Sequence, residues 1–270
     1  MSTVMRSSLD LLSAKGALEI MLILSTKDAK FKELNRAARN TRTLSRRLRE
    51  LESAGWIERA SGSYSITEAG FEAIMRFYEA ELRGDRLQLK ASELEKVPYN
   101  WVRIPLIKLA VLFLKEFGSE LISLALYGSS ARGSFVMGKS DMDILYVVED
   151  DVRGLWSRES KVFKRFRSSY EYAAFDRWFK QKGFYGYPEV SVTHLRRSSA
   201  LMFQPVYLDM VESGVIPYDR GDFLRGILRK LRNRLVELGT QRIERADGTW
   251  YWVLKPNLRP GEVLEVELVD

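Results

Sequence analysis

Asp141 and Asp143 stand two residues apart at the head of an apolar run, residues 144–148. If that run is a strand, positions i and i+2 point to the same face, so both carboxylates aim at one spot. Two like charges held that close are costly unless a cation lies between them. Oxygen-only ligands suit Mg²⁺ or Mn²⁺, and Mg²⁺ is commonly held by one or two carboxylates together with substrate phosphates. Upstream, a second apolar run, residues 121–127, turns abruptly at Gly128 and Ser129. Gly128 lets the backbone come close to a phosphate, and Ser129 offers a hydroxyl donor. The chemistry these residues suit is the handling of a phosphate chain beside a divalent ion.

The flanking periodicities supply the elements that must hold this stretch in place. Pro105 predicts the start of a helix running to Phe117, with Leu106, Leu109, Ala110, Phe113 and Leu114 apolar and Gly118 as its stop. Residues 152–182 read as helical, with aromatic and basic residues closely interleaved. That mixture suits stacking on nucleic acid, but an aromatic core face backed by a solvated basic face accounts for it more simply. Residues 189–194 read as a third strand, on which Glu189, Ser191 and Thr193 share one face. His194, the single histidine, receives no catalytic role. Residues 199–212 predict a helix bent at Pro205, and residues 214–218 a short extended link. Asp222 caps a further helix to Leu238, in which Lys and Arg alternate with Leu. A hairpin turning at Asp247 and Gly248 and a last strand in the tail complete the chain.

The N-terminal third follows a different rhythm. Helical patterns over residues 13–25, 31–38 and 40–54 precede a hairpin over residues 56–67, which turns at Ser61, Gly62 and Ser63. A helix over residues 67–83 follows. The third helix carries Leu44, Leu48 and Leu51 on one face and Arg42, Ser45, Arg46 and Arg49 on the other. Residues 27–59 hold ten Lys/Arg against five Asp/Glu, the electrostatic footprint expected of a nucleic-acid partner. The alternative is a solvated basic face, or a unit used for protein docking or dimerisation. With its phrase TLSRRLRELESAGWIER (residues 43–59) and the TEAG that follows the hairpin (residues 67–70), this region resembles the winged helix-turn-helix domains of small prokaryotic transcription regulators. The resemblance implies that Arg42, Ser45, Arg46 and Arg49 face DNA, and that Ser61 to Ser63 form the wing tip.

The central stretch GSSARGSFVMGKSDMD (residues 128–143) resembles the nucleotidyltransferase superfamily of the polymerase-beta-like fold. Gly-Ser, Ala-Arg-Gly, Ser-Asp and Asp-x-Asp recur there together. The resemblance implies a mixed α+β fold: an N-terminal winged helix-turn-helix joined to a nucleotidyltransferase α/β domain with a mixed sheet. It places the winged helix at residues 1–84, a linker at 85–102, the nucleotidyltransferase core at 103–195, and a C-terminal helical and β extension at 196–270. By the same resemblance Asp141 and Asp143 are catalytic metal ligands for Mg²⁺ or Mn²⁺. Gly128, Ser129 and Ser140 bind the nucleotide, and Arg132 reaches phosphate or holds the loop. A third carboxylate is expected on the next strand, where Glu189 is the candidate. The family more often has Asp at that position between apolar neighbours, whereas Glu189 follows Pro188. The tail, with Tyr251, Trp252 and LKP at residues 254–256, is similar to an archaeal lineage of such proteins. The implied activity is transfer of a nucleotidyl group from an NTP to an acceptor, guided by DNA binding. The alternatives are a DNA-binding regulator whose second domain senses nucleotide, and a nucleotidyltransferase of the toxin–antitoxin type.

Composition sets the outer bounds. The chain has 270 residues, enough for two domains with a core each. Hydrophobic residues make up 46 % and charged residues 29 %, and the net charge of +7 favours an anionic partner. With no cysteine, disulfides and thiolate metal sites are excluded. The longest apolar runs fall far short of the ~20 residues of a membrane span, and no signal-peptide pattern is visible. The expectation is a cytoplasmic protein, a homodimer being compatible with the sequence, and no membrane partner.

Overall fold

The computed structural model describes residues 8–38, 40–80, 89–181, 183–184, 190–246, 250–259, 261–263 and 268. At the N-terminus, α1 (Ser8–Ser13) and α2 (Ala17–Leu24) lead into a short strand, β1 (Ala29–Lys30). The helical pattern of residues 31–38 resolves into α3 (Phe31–Leu34) and one 3₁₀ turn (Asn35–Ala37). α4 (Thr41–Ser53) starts where Asn40 Oδ1 accepts the Thr43 N–H at 2.8 Å, a side-chain cap. β2 (Ile57–Ala60) and β3 (Ser63–Ile66) form the expected hairpin, and β1 adds to the outer edge of β3, giving the order β1-β3-β2. α5 (Glu68–Ala80) is capped by Thr67 Oγ1, which accepts the Gly70 N–H at 3.1 Å. Ile20, Met21, Leu34, Leu44, Leu51 and Ile57 are buried between these elements.

α6 (Ala91–Leu94) precedes the long helix α7 (Asn100–Phe117), which is apolar nearly all round and correspondingly buried. α7 begins five residues before Pro105 rather than at it, so the proline lies within the helix. There follow β4 (Leu121–Tyr127), α8 (Gly128–Arg132), β5 (Met142–Val148), α9 (Leu155–Arg167), α10 (Tyr170–Gln181) and β6 (Val190–Arg196). The single helix expected over residues 152–182 is two, because Ser169 Oγ accepts the Tyr172 N–H at 3.1 Å and starts a new helix. α11 (Arg197–Ala200), α12 (Val206–Ser213), β7 (Val215–Asp219), α13 (Phe223–Glu237), β8 (Gln241–Glu244) and β9 (Trp250–Val253) complete the described elements. β8 and β9 pair antiparallel; the Asp247–Gly248 turn expected between them, most of the tail, and residues 81–88, which span the end of the expected winged helix and the start of the expected linker, lie outside the described residues.

The larger sheet has the order β6-β5-β4-β7. β5 and β6 run parallel while β4 pairs antiparallel with both neighbours, so the sheet is mixed. β7 occupies residues whose sequence predicts only an extended link. Its Pro217 is tolerated because the strand is an edge, and Asp219 ties it inward by accepting the Ser123 hydroxyl at 2.6 Å. Asp219, not Asp222, also caps α13, accepting the N–H groups of Leu224 and Arg225 at 3.0 and 3.1 Å. The alternation of β5 divides two cores. Ile144, Tyr146 and Val148 face α7 and α9, in an apolar cluster continuous with the N-terminal elements. Leu145 and Val147 face α12 and α13. Polar links add to the N-terminal contact: Arg103 pairs with Glu68 at 3.0 Å, and the Tyr78 hydroxyl donates to Glu171.

Candidate active site

β4 delivers Tyr127 opposite Asp143 of β5, and the chain then turns at Gly128 with φ 73°. A Cβ at residue 128 would stand 2.0 Å from Asp143 Oδ2, closer than any real contact. The glycine therefore serves two needs: a backbone angle that L side chains avoid, and the space that brings main chain against a carboxylate. Ser129 follows, half-buried. Arg132, at the end of α8, forms an ion pair with Asp209 of α12, and Asp209 Oδ2 accepts the Gly128 N–H at 3.0 Å. One carboxylate thus joins both ends of the α8 turn. The Arg132 guanidinium also lies 5.4 Å from the Trp250 ring centroid.

Negative charge accumulates at this corner. Burial first, then the charges of Asp141 and Asp209, push the Asp143 carboxyl from 3.8 up to about 6, against the opposing pull of Arg132. The Tyr127 phenol is raised as well, chiefly by burial and further by Asp143 and Asp209, and its oxygen lies 3.1 Å from Thr193 Oγ1. Asp141 is half-buried just before β5.

On β6, Ser191 pairs with Asp143 and Thr193 with Leu145, so two hydroxyl residues share the aspartates' face. Glu189, the expected third ligand, lies outside the described residues, and among the described residues no group of three His, Cys, Asp or Glu is arranged to hold a metal. The donor set of Asp141 and Asp143 is all oxygen, and Asp143 faces more negative than positive charge. Both properties fit a divalent ion of the Mg²⁺ type, which two carboxylates and a substrate phosphate can hold.

Ser140 has a local partner: its Oγ accepts the Val136 N–H at 3.0 Å and folds the loop between α8 and β5 back on itself. The remaining predicted residues belong to the N-terminal elements. Arg42, Arg46 and Arg49 are exposed on α4, with Ser45 half-buried among them and its carbonyl accepting from Arg49 Nε at 3.3 Å. Ser61 is exposed in the β2–β3 turn with φ 51°, and Ser63 opens β3, half-buried. Asp209 is the residue that sequence reasoning misses. It lies far along the chain in VYLDMVES, with no motif around it; the one signal is an acid between Leu208 and Met210 on a largely apolar helix.

Among the described residues no helix is long and apolar enough to cross a membrane. A comparison with curated proteins returns no match to the chain. Residues 107–185, from within α7 to beyond α10, match the family model of the nucleotidyltransferase domain, and this segment contains Gly128, Ser129, Arg132, Asp141 and Asp143.

Proposed function

We propose that the chain is a Mg²⁺- or Mn²⁺-dependent nucleotidyltransferase that moves a nucleotidyl group from an NTP to an acceptor, with an N-terminal winged helix that docks it on DNA. The observation that carries this reading is the pairing around Gly128. Its backbone lies against Asp143, and its N–H together with Arg132 already holds an anion, the Asp209 carboxylate. A phosphate oxygen is the same kind of partner for both donors. In this reading Gly128, Ser129 and Arg132 hold the triphosphate, Ser140 fixes the loop above it, and Asp141, Asp143 and Glu189 are the metal ligands. When bound there, divalent ions neutralise the triphosphate and make the attacking hydroxyl more acidic. The acceptor oxygen bonds to the α-phosphorus, the bond from that phosphorus to the bridging oxygen breaks, pyrophosphate leaves, and the hydroxyl proton is released. The chain's own part is to orient the triphosphate in line with the acceptor.

The DNA-docking half of the proposal draws support from the order α2, α3, α4, hairpin, α5, from the small three-stranded sheet, and from the exposed Arg42, Arg46 and Arg49 on α4. Incubation with labelled NTPs, Mg²⁺ and candidate acceptors tests the transferase, with Asp143→Ala as the inactive control. A second reading is a DNA-binding regulator that senses nucleotide without turnover; on the described part of β6, the residues beside Asp143 and Leu145 are Ser191 and Thr193, which carry hydroxyls. Tight NTP binding with no pyrophosphate release would select it.

A further inference from the structure

A cavity of about 510 Å³ lies between α12, β7 and α13, with Ala131 and Arg132 in its wall. That volume suits a molecule of nucleotide size. Its charge is one-sided. Arg225, Arg229 and Arg232 recur at i, i+4 and i+7, so three guanidinia line one stripe of α13, alongside its buried face of Leu224 and Leu231. Like charges at that spacing repel and weaken the helix unless an anion answers them.

The carboxylates in the wall are already engaged. Glu93 is buried; it pairs with Lys96, lies 3.2 Å from Arg225 Nη2, and accepts the Ile216 N–H at 3.0 Å. Glu212 pairs with Arg242 at 2.7 Å. Arg225 Nε and Nη2 are buried, yet neither meets an acceptor in hydrogen-bonding geometry; Nε stands 3.6 Å from Asp222 Oδ1. Arg229 is exposed and makes no hydrogen bond or ion pair among the described residues, acting on Asp222 through charge alone. Arg232 donates to the Val211 carbonyl, which holds it along the same wall.

We infer that this cavity is a second anion site, which takes the phosphate of a nucleotide-sized molecule and, on the transferase reading proposed above, positions it as acceptor beside Arg132. The open guanidinium of Arg229 supplies the charge-assisted hydrogen bonds that a phosphate recruits, with the charges of Arg225 and Arg232 on either side of it along the same wall. The phosphate comes from a free nucleotide or from the 5′ end of a nucleic acid.

Calorimetry on the full chain in EDTA tests the inference, with adenosine 5′-monophosphate, a 5′-phosphorylated dinucleotide and unphosphorylated adenosine as probes. The expected result is binding of at least one phosphorylated probe and not of adenosine. That binding should be unchanged in Asp141→Asn/Asp143→Asn, weakened about tenfold or more in Arg229→Glu/Arg232→Glu, and largely kept in Arg229→Lys/Arg232→Lys. The tighter of the two phosphorylated probes identifies the source. Affinity that survives Arg229→Glu/Arg232→Glu, or wild-type protein that binds neither phosphorylated probe, overturns the inference. Both arginines are exposed, and a thermal melt verifies that the variants fold. Metal and turnover play no part in this measurement, so its outcome stands apart from that of the transferase assay.

Discussion

Gly128 and Asp143 are locked together by space: the carboxylate oxygen occupies the position that a side chain at residue 128 would need. Gly128→Ala must therefore displace Asp143 or the β4–α8 turn, and it also places a Cβ at φ 73°. We expect a loss of about 1–3 kcal/mol in stability from the backbone strain and loss of nucleotidyl transfer. Gly133→Ala is the comparison, since a Cβ there meets only Pro98 at 3.6 Å; it should carry the left-handed strain alone and keep activity. Equal activity in both variants would separate the turn from the site.

The raised carboxyl of Asp143 has a direct consequence for stability. In the folded, metal-free protein it holds its proton up to about pH 6, against 3.8 in the unfolded chain. Between those values the native state binds more protons than the unfolded one, so stability falls as pH rises through that window. Asp143→Asn removes the penalty. In EDTA at pH 8 it should melt above wild type by an amount equivalent to on the order of 1–2 kcal/mol, after allowance for solvent screening. At pH 4 the two should nearly coincide. A wild type that is the more stable of the two at pH 8 would refute this.

Asp209 adds to the charge that raises Asp143 while it engages the Gly128 N–H and Arg132. Asp209→Asn should lower the Asp143 pKa, so that adding Asp143→Asn in its background raises the melting temperature by less than it does in wild type. It should also free Arg132 for anions, so that tripolyphosphate binds about three- to tenfold more tightly without metal. Calorimetry reads the second effect, and unchanged or weaker binding speaks against Asp209 as the competing anion.

The exposed arginines of α4 make a separate prediction. Arg46→Ala/Arg49→Ala should weaken DNA binding and reduce the slope of log K against log salt by about two, one for each phosphate that is no longer neutralised. A salt titration of fluorescence anisotropy on a DNA duplex measures it. An unchanged slope removes these residues from the interface.

Local features of the site were legible because they are short-range. Gly128 and Ser129 end an apolar run, Asp141 and Asp143 begin another, and β4 and β5 form from those runs as expected. The hairpin β2–β3 was legible for the same reason. What escaped depends on partners distant in sequence. β7 is a five-residue strand containing Pro217, and only its pairing with β4 makes it a strand. The cap of α13 comes from Asp219 across a turn, where the local pattern pointed to Asp222. Pro105 marked a helix start by local rule, but the packing of Trp101 and Val102 into the core carries α7 past it toward the N-terminus. Asp209 joins the site through folding alone, since nothing in VYLDMVES shows that it meets Gly128.

Nucleotidyl transfer itself is measured most directly by pyrophosphate release from labelled NTPs, with Mg²⁺ and a panel of acceptors, for wild type, Asp141→Ala and Asp143→Ala. Metal-dependent release by wild type, with a drop of at least about a hundredfold in each variant, is the predicted result. Release by Asp143→Ala at the wild-type rate would contradict it.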